Sequence, residues 1–348
     1  MKSVAFLGKQ DVQLREAPDP TPGKGEVRLK VLLAGLCATD RHIVAGHFSV
    51  QPPRILGHEL VGIVDVIGPE VPESWKGVKV GILPARFCGI CAMCQSGNPQ
   101  LCLNFECLGN THDGGYAQFT IARSDQLIPL NEISEYDAVW LEPLACIIQA
   151  LNQVGGKEIA GPVLIIGAGT LGTLMLETIL SMTPAKVAVV DPNQLKIEYA
   201  LTRGAQMGWT VPRQGPVPEI TASLHQWAPQ GVPIVIDTTG VPESIQRALE
   251  WLSPRGKLLL FGVSDPTSKL CISPHLVFSK ELTILASSGM TPASFEAAVT
   301  LLREKRIKPS TLNAGVINLQ DLPAYLLGEK TSPFGKVLIS PWSTGTGI

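Results

Sequence analysis

The segment PVLIIGAGTLG, residues 162–172, constrains the fold of this 348-residue chain more than any other. An apolar run of strand length leads into Gly167-x-Gly169-x-x-Gly172, and a helix-like stretch, TLGTLMLETILSM, opens at Thr170. Glycines at these places let the backbone turn tightly and approach a pyrophosphate at the helix N-terminus. A second apolar run, AKVAVVD at 185–191, ends in Asp191, roughly twenty residues beyond the last glycine, where a carboxylate accepts hydrogen bonds from an adenosine ribose diol. Such a carboxylate repels a ribose 2′-phosphate, which favours NAD over NADP. Gly167, Gly169, Thr170, Leu171, Gly172 and Asp191 are therefore the candidate cofactor contacts. Lys196, in the next helix-like stretch, reads as a solvated charge.

Around this unit the pattern alternates. QLKIEYALTRG, VIDTTG with IVI before it, PESIQRALEWL, KLLLFGV and LTILAS follow in turn, so strands and helices predict a parallel sheet covered on both faces. Before it, up to about residue 150, short β-like runs recur at 27–36, 60–68, 77–83 and 116–122 with turns between them. These predict a compact, barrel-like β domain, with the Pro-rich segment 17–26 as a surface loop. EYDAVWLEPLACIIQALNQV, 135–154, has helical spacing despite Pro143 and stops at Gly155-Gly156. The division is accordingly 1–152 for the first domain, 153–287 for the nucleotide-binding domain and 288–348 for a segment returning to the first. The Pro-bearing stretch 212–233 is expected to include a mobile loop.

Composition narrows the partners. Apolar residues make up 45 % and charged residues 17 % of the chain, with 34 Gly and 28 Pro, which fits a globular α/β chain rich in turns and excludes fibrous or disordered classes. A net charge of −2 lacks the basic footprint of a nucleic-acid binder or of adhesion to an anionic membrane. No apolar stretch approaches 18 residues, and the N-terminal apolar run is too short for a secretory segment. A small-molecule partner and a cytoplasmic location are expected.

Half of the eight cysteines sit at 88, 91, 94 and 102. Four thiolates at this spacing surround one tetrahedral zinc ion and leave no open position, so Cys88, Cys91, Cys94 and Cys102 form a structural site. Cys107, Cys146 and Cys271 read as ordinary small core residues. A second set is scattered: Cys37 in GLCATDRH, His58 and Glu59 in ILGHELVG, and Glu142 in LEPLAC. Thiolate, imidazole and carboxylate together make a mixed site able to leave one position for water or substrate, as a catalytic zinc requires. Each taken alone is better explained as a buried Cys, a core His or a helix carboxylate; their joint occurrence with the nucleotide motif carries the reading.

GLCATDRH, GHELVGIV, CGICAMCQSGNPQLC, DGGYAQF, LEPLAC, GAGTLG and VIDTTG, in that order along essentially the whole chain, resemble the zinc-dependent medium-chain alcohol and polyol dehydrogenases. The resemblance implies a GroES-like catalytic domain, a Rossmann domain and a cleft between them. It implies Cys37 and His58 as ligands of the catalytic zinc, with Glu59 a ligand or a close charge. Glu142 replaces the cysteine of simple alcohol dehydrogenases and resembles the sorbitol dehydrogenase branch, where either Glu59 or Glu142 ligates. Thr39 matches the family's relay hydroxyl, and His42 passes the proton onward to solvent. Asp40 is the candidate for orienting His58 through its other ring nitrogen.

Phe48 reads as core, although a pocket wall is the alternative; no clamp for an anionic substrate is evident, which disfavours phosphorylated or carboxylated substrates, although a single Arg such as Arg41 or Arg54 could serve. The expected reaction is reversible oxidation of a secondary alcohol in a polyol, sugar alcohol or cyclitol to the ketone, with hydride transfer to NAD. A simple alcohol, an aldehyde or an amino alcohol such as threonine is the alternative within the class; a noncatalytic nucleotide binder would show a degraded zinc site. A homodimer or homotetramer is implied, with LTILAS as a candidate pairing edge.

Overall fold

The computed structural model describes residues 1–213 and 215–343. Gln214, in the Pro-bearing stretch read as a mobile loop, and 344–348, the end of the returning segment, lie outside the described residues. The chain divides into two compact units, Met1–Ala145 together with the segment from Met290, and Cys146–Gly289.

The second unit is built on six parallel strands. In spatial order they are Met207–Thr210, Val187–Asp191, Val163–Ile166, Val232–Asp237, Leu252–Leu260 and Thr283–Ala286. Numbered along the chain this is the order 3-2-1-4-5-6 of a dinucleotide-binding sheet, whose crevice lies at the carboxyl ends where the winding reverses. Val163–Ile166 and Val187–Asp191 are buried at every residue, which is why they read as unbroken apolar runs rather than as alternation. The helices Thr170–Met182, Gln194–Thr202, Pro218–Trp227 and Pro242–Trp251 return the chain between strands.

The first unit has the strand Glu26–Gly35 as its spine. One edge pairs antiparallel with Glu59–Ile67 along its length; the other is shared by Phe119–Arg123 at the beginning and Lys336–Ile339 at the end. Val27, Leu29 and Val31 alternate inward and are buried, packing with Leu60, Val64 and Tyr116 into one apolar core. Lys79–Ile82 and Leu127–Pro129 extend the sheet beyond Glu59–Ile67, and Asn313–Ile317 runs parallel to Lys336–Ile339. The N-terminal strands Lys2–Gly8 and Asp11–Glu16 form a small separate sheet with Arg54–Ile55; this hairpin is poorly marked in the residue pattern because only its inner strand carries an apolar run.

The spacing over 135–154 predicts one helix, but the chain forms two, Glu135–Ala138 and Leu141–Val154. Proline lacks the N–H that would bond four residues back. The second helix therefore begins where Pro143 falls in its first turn, where that donor needs no partner. Trp140, at the break, is fully buried and donates its indole N–H to Asn313 Oδ1 at 2.8 Å.

Candidate functional site

Three strand ends of the first unit meet at one place. Gly35, the last residue of its strand, is paired with Glu59, the first of the next, and Leu338 lies opposite Gly35 on the other side. The chain leaving Gly35 passes Cys37 and enters the helix Ala38–Ala45, whose N-terminus Cys37 caps by accepting from Thr39 N at 3.4 Å. The strand end therefore places His58 and Glu59 beside Cys37. One ligand atom from each of Cys37, His58 and Glu59 falls within a group whose members are all within 4.8 Å of one another.

The surroundings fit a metal. Asp40, fully buried, accepts from Cys37 N at 3.2 Å and from the Tyr116 hydroxyl at 2.5 Å through Oδ2. Its other oxygen, Oδ1, is buried without a hydrogen bond and lies 3.5 Å from His58 Nδ1. Holding Nδ1 toward Asp40 leaves Nε2 to a metal, the arrangement in which a carboxylate orients a ligating imidazole. Burial disfavours the His58 cation, but the charges of Cys37 and Asp40 outweigh it and the imidazole pKa is raised well above its usual value. A buried site that draws a proton to its imidazole in this way offers a divalent cation the same attraction.

Glu142 is outside the convergent group, on the first turn of Leu141–Val154, although its charge is felt at Cys107 and Lys336. Thr39 and His42 lie on the helix Ala38–Ala45 at i and i+3, hence on one face. His42 Nδ1 lies 3.1 Å from His47 Nδ1, and the Phe48 ring stands edge-on to His42 at 6.0 Å. Phe48 is an exposed residue rather than a core one, because the loop beyond Gly46 carries it to the surface. Cys271 is exposed too, and Cys107, partly exposed, sits close enough to feel the charges of His58, Glu142, Asp40 and Cys37; burial of its sulfur pushes the Cys107 thiol up to about 12.

Two residues that the sequence reading did not single out belong to this centre. Tyr116 carries the hydroxyl that satisfies Asp40. Lys336, 277 residues from Glu59, donates to both of its carboxylate oxygens, at 2.7 and 2.5 Å, with both side chains buried. Burial disfavours the Lys336 cation, but the Glu59 and Cys37 charges raise its pKa, so it stays charged. Nothing in a strand reading KVLI marks its first residue as inward; only the pairing beside Gly35 does.

The quartet forms a second centre. Cys88, Cys91, Cys94 and Cys102 offer sulfurs all within 4.8 Å of one another, with pairs at 3.5, 3.9 and 4.0 Å. Four thiolates about 2.3 Å from a zinc ion stand about 3.8 Å apart at the corners of a tetrahedron, so the spacing matches. The N–H groups of Ile90 and Cys91 draw the Cys88 thiol down to about 6, favouring the thiolate that a metal needs.

In the second unit Gly167 has φ +97°, which favours glycine. A Cβ on Gly172 would meet Gly167 O at 1.9 Å, whereas one on Gly169 would meet nothing within 4 Å. Gly172 is thus required by the protein's own packing. The space at Gly169 is open, as a ligand's approach to the helix Thr170–Met182 demands. Asp191, buried at the end of its strand, accepts from Ala168 N at 2.9 Å and Asn193 N at 2.8 Å and so ties the glycine turn to the second strand.

Residues 23–132 match the model of the alcohol dehydrogenase GroES-like domain, and residues 171–304 that of the zinc-binding dehydrogenases. The Escherichia coli K12 starvation-sensing protein RspB is 30 % identical over 327 residues, 92 % of this chain and 93 % of its own. This chain belongs to the zinc-binding alcohol dehydrogenase family. It is an oxidoreductase acting on alcohol groups, with a GroES-like and a Rossmann-like domain. The D-arabinitol dehydrogenase 1 of Uromyces fabae is 28 % identical over 342 residues, 98 % of this chain and 97 % of that protein. A solved RspB structure from E. coli CFT073, complexed with NADH, is similar with a TM-score of 0.88 at 28 % identity, covering 98 % of this chain and 99 % of that one. A zinc-binding dehydrogenase from Sinorhizobium meliloti 1021, bound to NADP, gives a TM-score of 0.89 at 27 % identity over 98 % and 99 % of the two chains. For this family member, no helix among the described residues is long and apolar enough to cross a membrane.

Proposed function

We propose that the protein oxidises a secondary alcohol group of a polyol, sugar alcohol or cyclitol to the ketone, reversibly, with NAD as hydride acceptor. The observation that carries this reading is the convergence of the partly buried Cys37 and His58 and the buried Glu59 on one point, a thiolate, imidazole and carboxylate set that suits a catalytic zinc. A zinc ion held by Cys37 and His58 with a carboxylate would supply Lewis acidity toward a substrate hydroxyl, and NAD bound at the glycine turn would supply the hydride acceptor.

The chain's own residues supply the rest. Cys37 and His58 hold the metal with Glu59 or Glu142 as carboxylate donor, while Asp40 fixes the His58 ring. The Thr39 hydroxyl relays the proton of the alcohol, giving up its own toward the cofactor ribose as it takes the new one, and His42, on the same helix face and paired with the exposed His47, passes a proton on to solvent. Cys88, Cys91, Cys94 and Cys102 hold a structural zinc. Gly167, Gly169, Thr170, Leu171 and Gly172 receive the pyrophosphate, and Asp191 the adenosine ribose, which favours NAD over NADP. Residues 1–152 with 288–348 form the catalytic part and 153–287 the NAD-binding part. The enzyme works as a cytoplasmic homodimer or homotetramer, as its family resemblance supports.

Glu142, where simple alcohol dehydrogenases carry cysteine, supports a polyol substrate, as does the likeness to D-arabinitol dehydrogenase 1. The test is NADH formation by zinc-loaded protein across polyols, cyclitols, simple alcohols and threonine, with Glu142→Ala as control. Turnover confined to polyols or cyclitols and lost in the control is the expected result. Turnover only with simple alcohols or threonine refutes the substrate class, and silence despite bound zinc and NAD refutes the reading as a whole.

A further inference from the structure

The helix Ala38–Ala45 ends in a pair of imidazoles whose spacing the proton path alone does not require. Gly46 takes the left-handed conformation, φ 84°, and donates to Ile43 O, while the next residue, His47, donates its N–H to His42 O at 2.9 Å. This turn folds His47 back against the end of the helix and sets the two rings side by side. Their Nδ1 atoms stand 3.1 Å apart and their ring centroids 5.3 Å, with 37° between the planes. Two imidazole nitrogens bound about 2.05 Å from one tetrahedral zinc ion stand about 3.3 Å apart, and their ring centroids about 5.2 Å. The pair therefore has the bite of a chelate before any metal arrives. His47 is exposed and His42 partly so, which lets an ion reach both rings from solvent and complete its shell with water. The carbonyl end of a helix carries partial negative charge and favours a cation there.

We propose that His42 and His47 form a third metal site, open to solvent, which binds zinc or another imidazole-seeking divalent ion through both Nδ1 atoms and, when filled, stops the passage of protons through His42. Imidazole suits zinc, copper and nickel, whereas magnesium prefers oxygen ligands. The site stands on the geometry of the pair; its effect on turnover rests on the proton path proposed above. A neutral imidazole has one N–H and one lone pair. In the metal-free pair a proton on one Nδ1 faces the lone pair of the other, so it can be handed across. A metal occupies both Nδ1 lone pairs, and the proton that lay between the rings moves through solvent to the free Nε2 of the ring that held it. Each ring then carries its proton on Nε2 and keeps no lone pair with which to accept another. Alcohol oxidation releases one proton for each hydride transferred, and with the metal in place that proton has no exit through His42. An enzyme that needs zinc at its two other centres is thus inhibited by zinc in excess.

The test uses the full-length protein with both other centres zinc-loaded, as parent and as His47→Gln, and raises free zinc stepwise with a metal buffer. Equilibrium dialysis counts the bound ions while NADH formation is followed in parallel, each protein's rate being divided by its own rate before zinc is added in excess. The parent is expected to take up a third ion and to lose about tenfold or more in rate, less than the full contribution of a general acid–base group because solvent keeps a slower path open. His47→Gln, its surface position leaving the fold intact, is expected to stop at two ions and to hold its own rate over the same range. Magnesium in place of the added zinc is expected to change neither protein. A parent that stops at two ions, or a His47→Gln protein that takes up the third as readily, overturns the site. Equal inhibition of the two proteins places the effect elsewhere, the exposed Cys271 included, and overturns the inference too, as does a third ion that leaves the parent's rate unchanged. A third ion bound only by the parent, in a protein that oxidises no alcohol at any zinc level, refutes the dehydrogenase reading and upholds the metal site.

Discussion

Replacing Tyr116 by Phe removes one hydroxyl from a fully buried ring and leaves the ring's packing against Gly57 in place. That hydroxyl lies 2.5 Å from Asp40 Oδ2 and 3.1 Å from Gly35 O. Burial, and then the Asp40 charge, raise the Tyr116 pKa well above its usual value, so the group is a neutral donor throughout the working pH range. Without it, Asp40 retains on Oδ2 the 3.2 Å bond from Cys37 N, and its Oδ1 has no hydrogen bond to fall back on. A hydrogen bond to a charged group contributes about 1.5–3 kcal/mol, and 1.4 kcal/mol is tenfold in an equilibrium constant, so about 10- to 100-fold is at stake. Because Asp40 faces both Cys37 and His58, the loss is expected in the zinc affinity of the mixed centre. Competition with a chromogenic chelator measures it, and the quartet, which shares no residue with this network, serves as internal control. A mixed-centre affinity within about twofold of the parent, or an equal loss at both centres, would refute the argument that Tyr116 acts through Asp40 on the ligands.

Two further outcomes follow from the same geometry. Gly169→Ala, where a Cβ meets no protein atom, is expected to leave thermal unfolding unchanged and weaken NAD binding at least about tenfold, whereas Gly172→Ala, where it meets Gly167 O at 1.9 Å, is expected to lower both; equal NAD affinity of Gly169→Ala and parent in a fluorescence titration would sink this. In metal-free protein the raised pKa of His58 means that a proton occupies the ring below that value and is expelled when zinc binds, so apparent zinc affinity at the mixed centre should rise with pH until His58 deprotonates unaided. Imidazole titration by NMR, present without metal and absent after zinc loading, checks it; a His58 resonance titrating identically in both states contradicts the ligand assignment.

Local chemistry made much of this protein legible from its residues in order. The run PVLIIGAGTLG and Asp191 announced the parallel sheet and its glycine turn because a buried strand is apolar throughout and a helix opened by glycines looks the same wherever it occurs. The quartet needed only spacing, since its four sulfurs lie within fifteen residues and a tetrahedral ion is compact. Cys37, His58 and Glu59 could be singled out as metal-ligand residue types, but their convergence depended on two strand ends meeting at Gly35 and Glu59. Glu142 shows the converse, being as plausible in sequence as Glu59 yet lying outside the convergent set.

Lys336 and Tyr116 mark what tertiary structure alone decided. Each is a common residue in an unremarkable strand or turn. A lysine at the start of KVLI would ordinarily point to water, because burying an unpaired ammonium is strongly unfavourable. Only the strand pairing that brings Lys336 within 2.7 Å of Glu59 across 277 residues supplies the charge that makes its burial tolerable. Sequence determines which side chains have the chemistry to hold a metal or a nucleotide; the fold decides which of their charges are left for the task, because compensation between buried charges acts over a few ångströms and takes no account of distance along the chain.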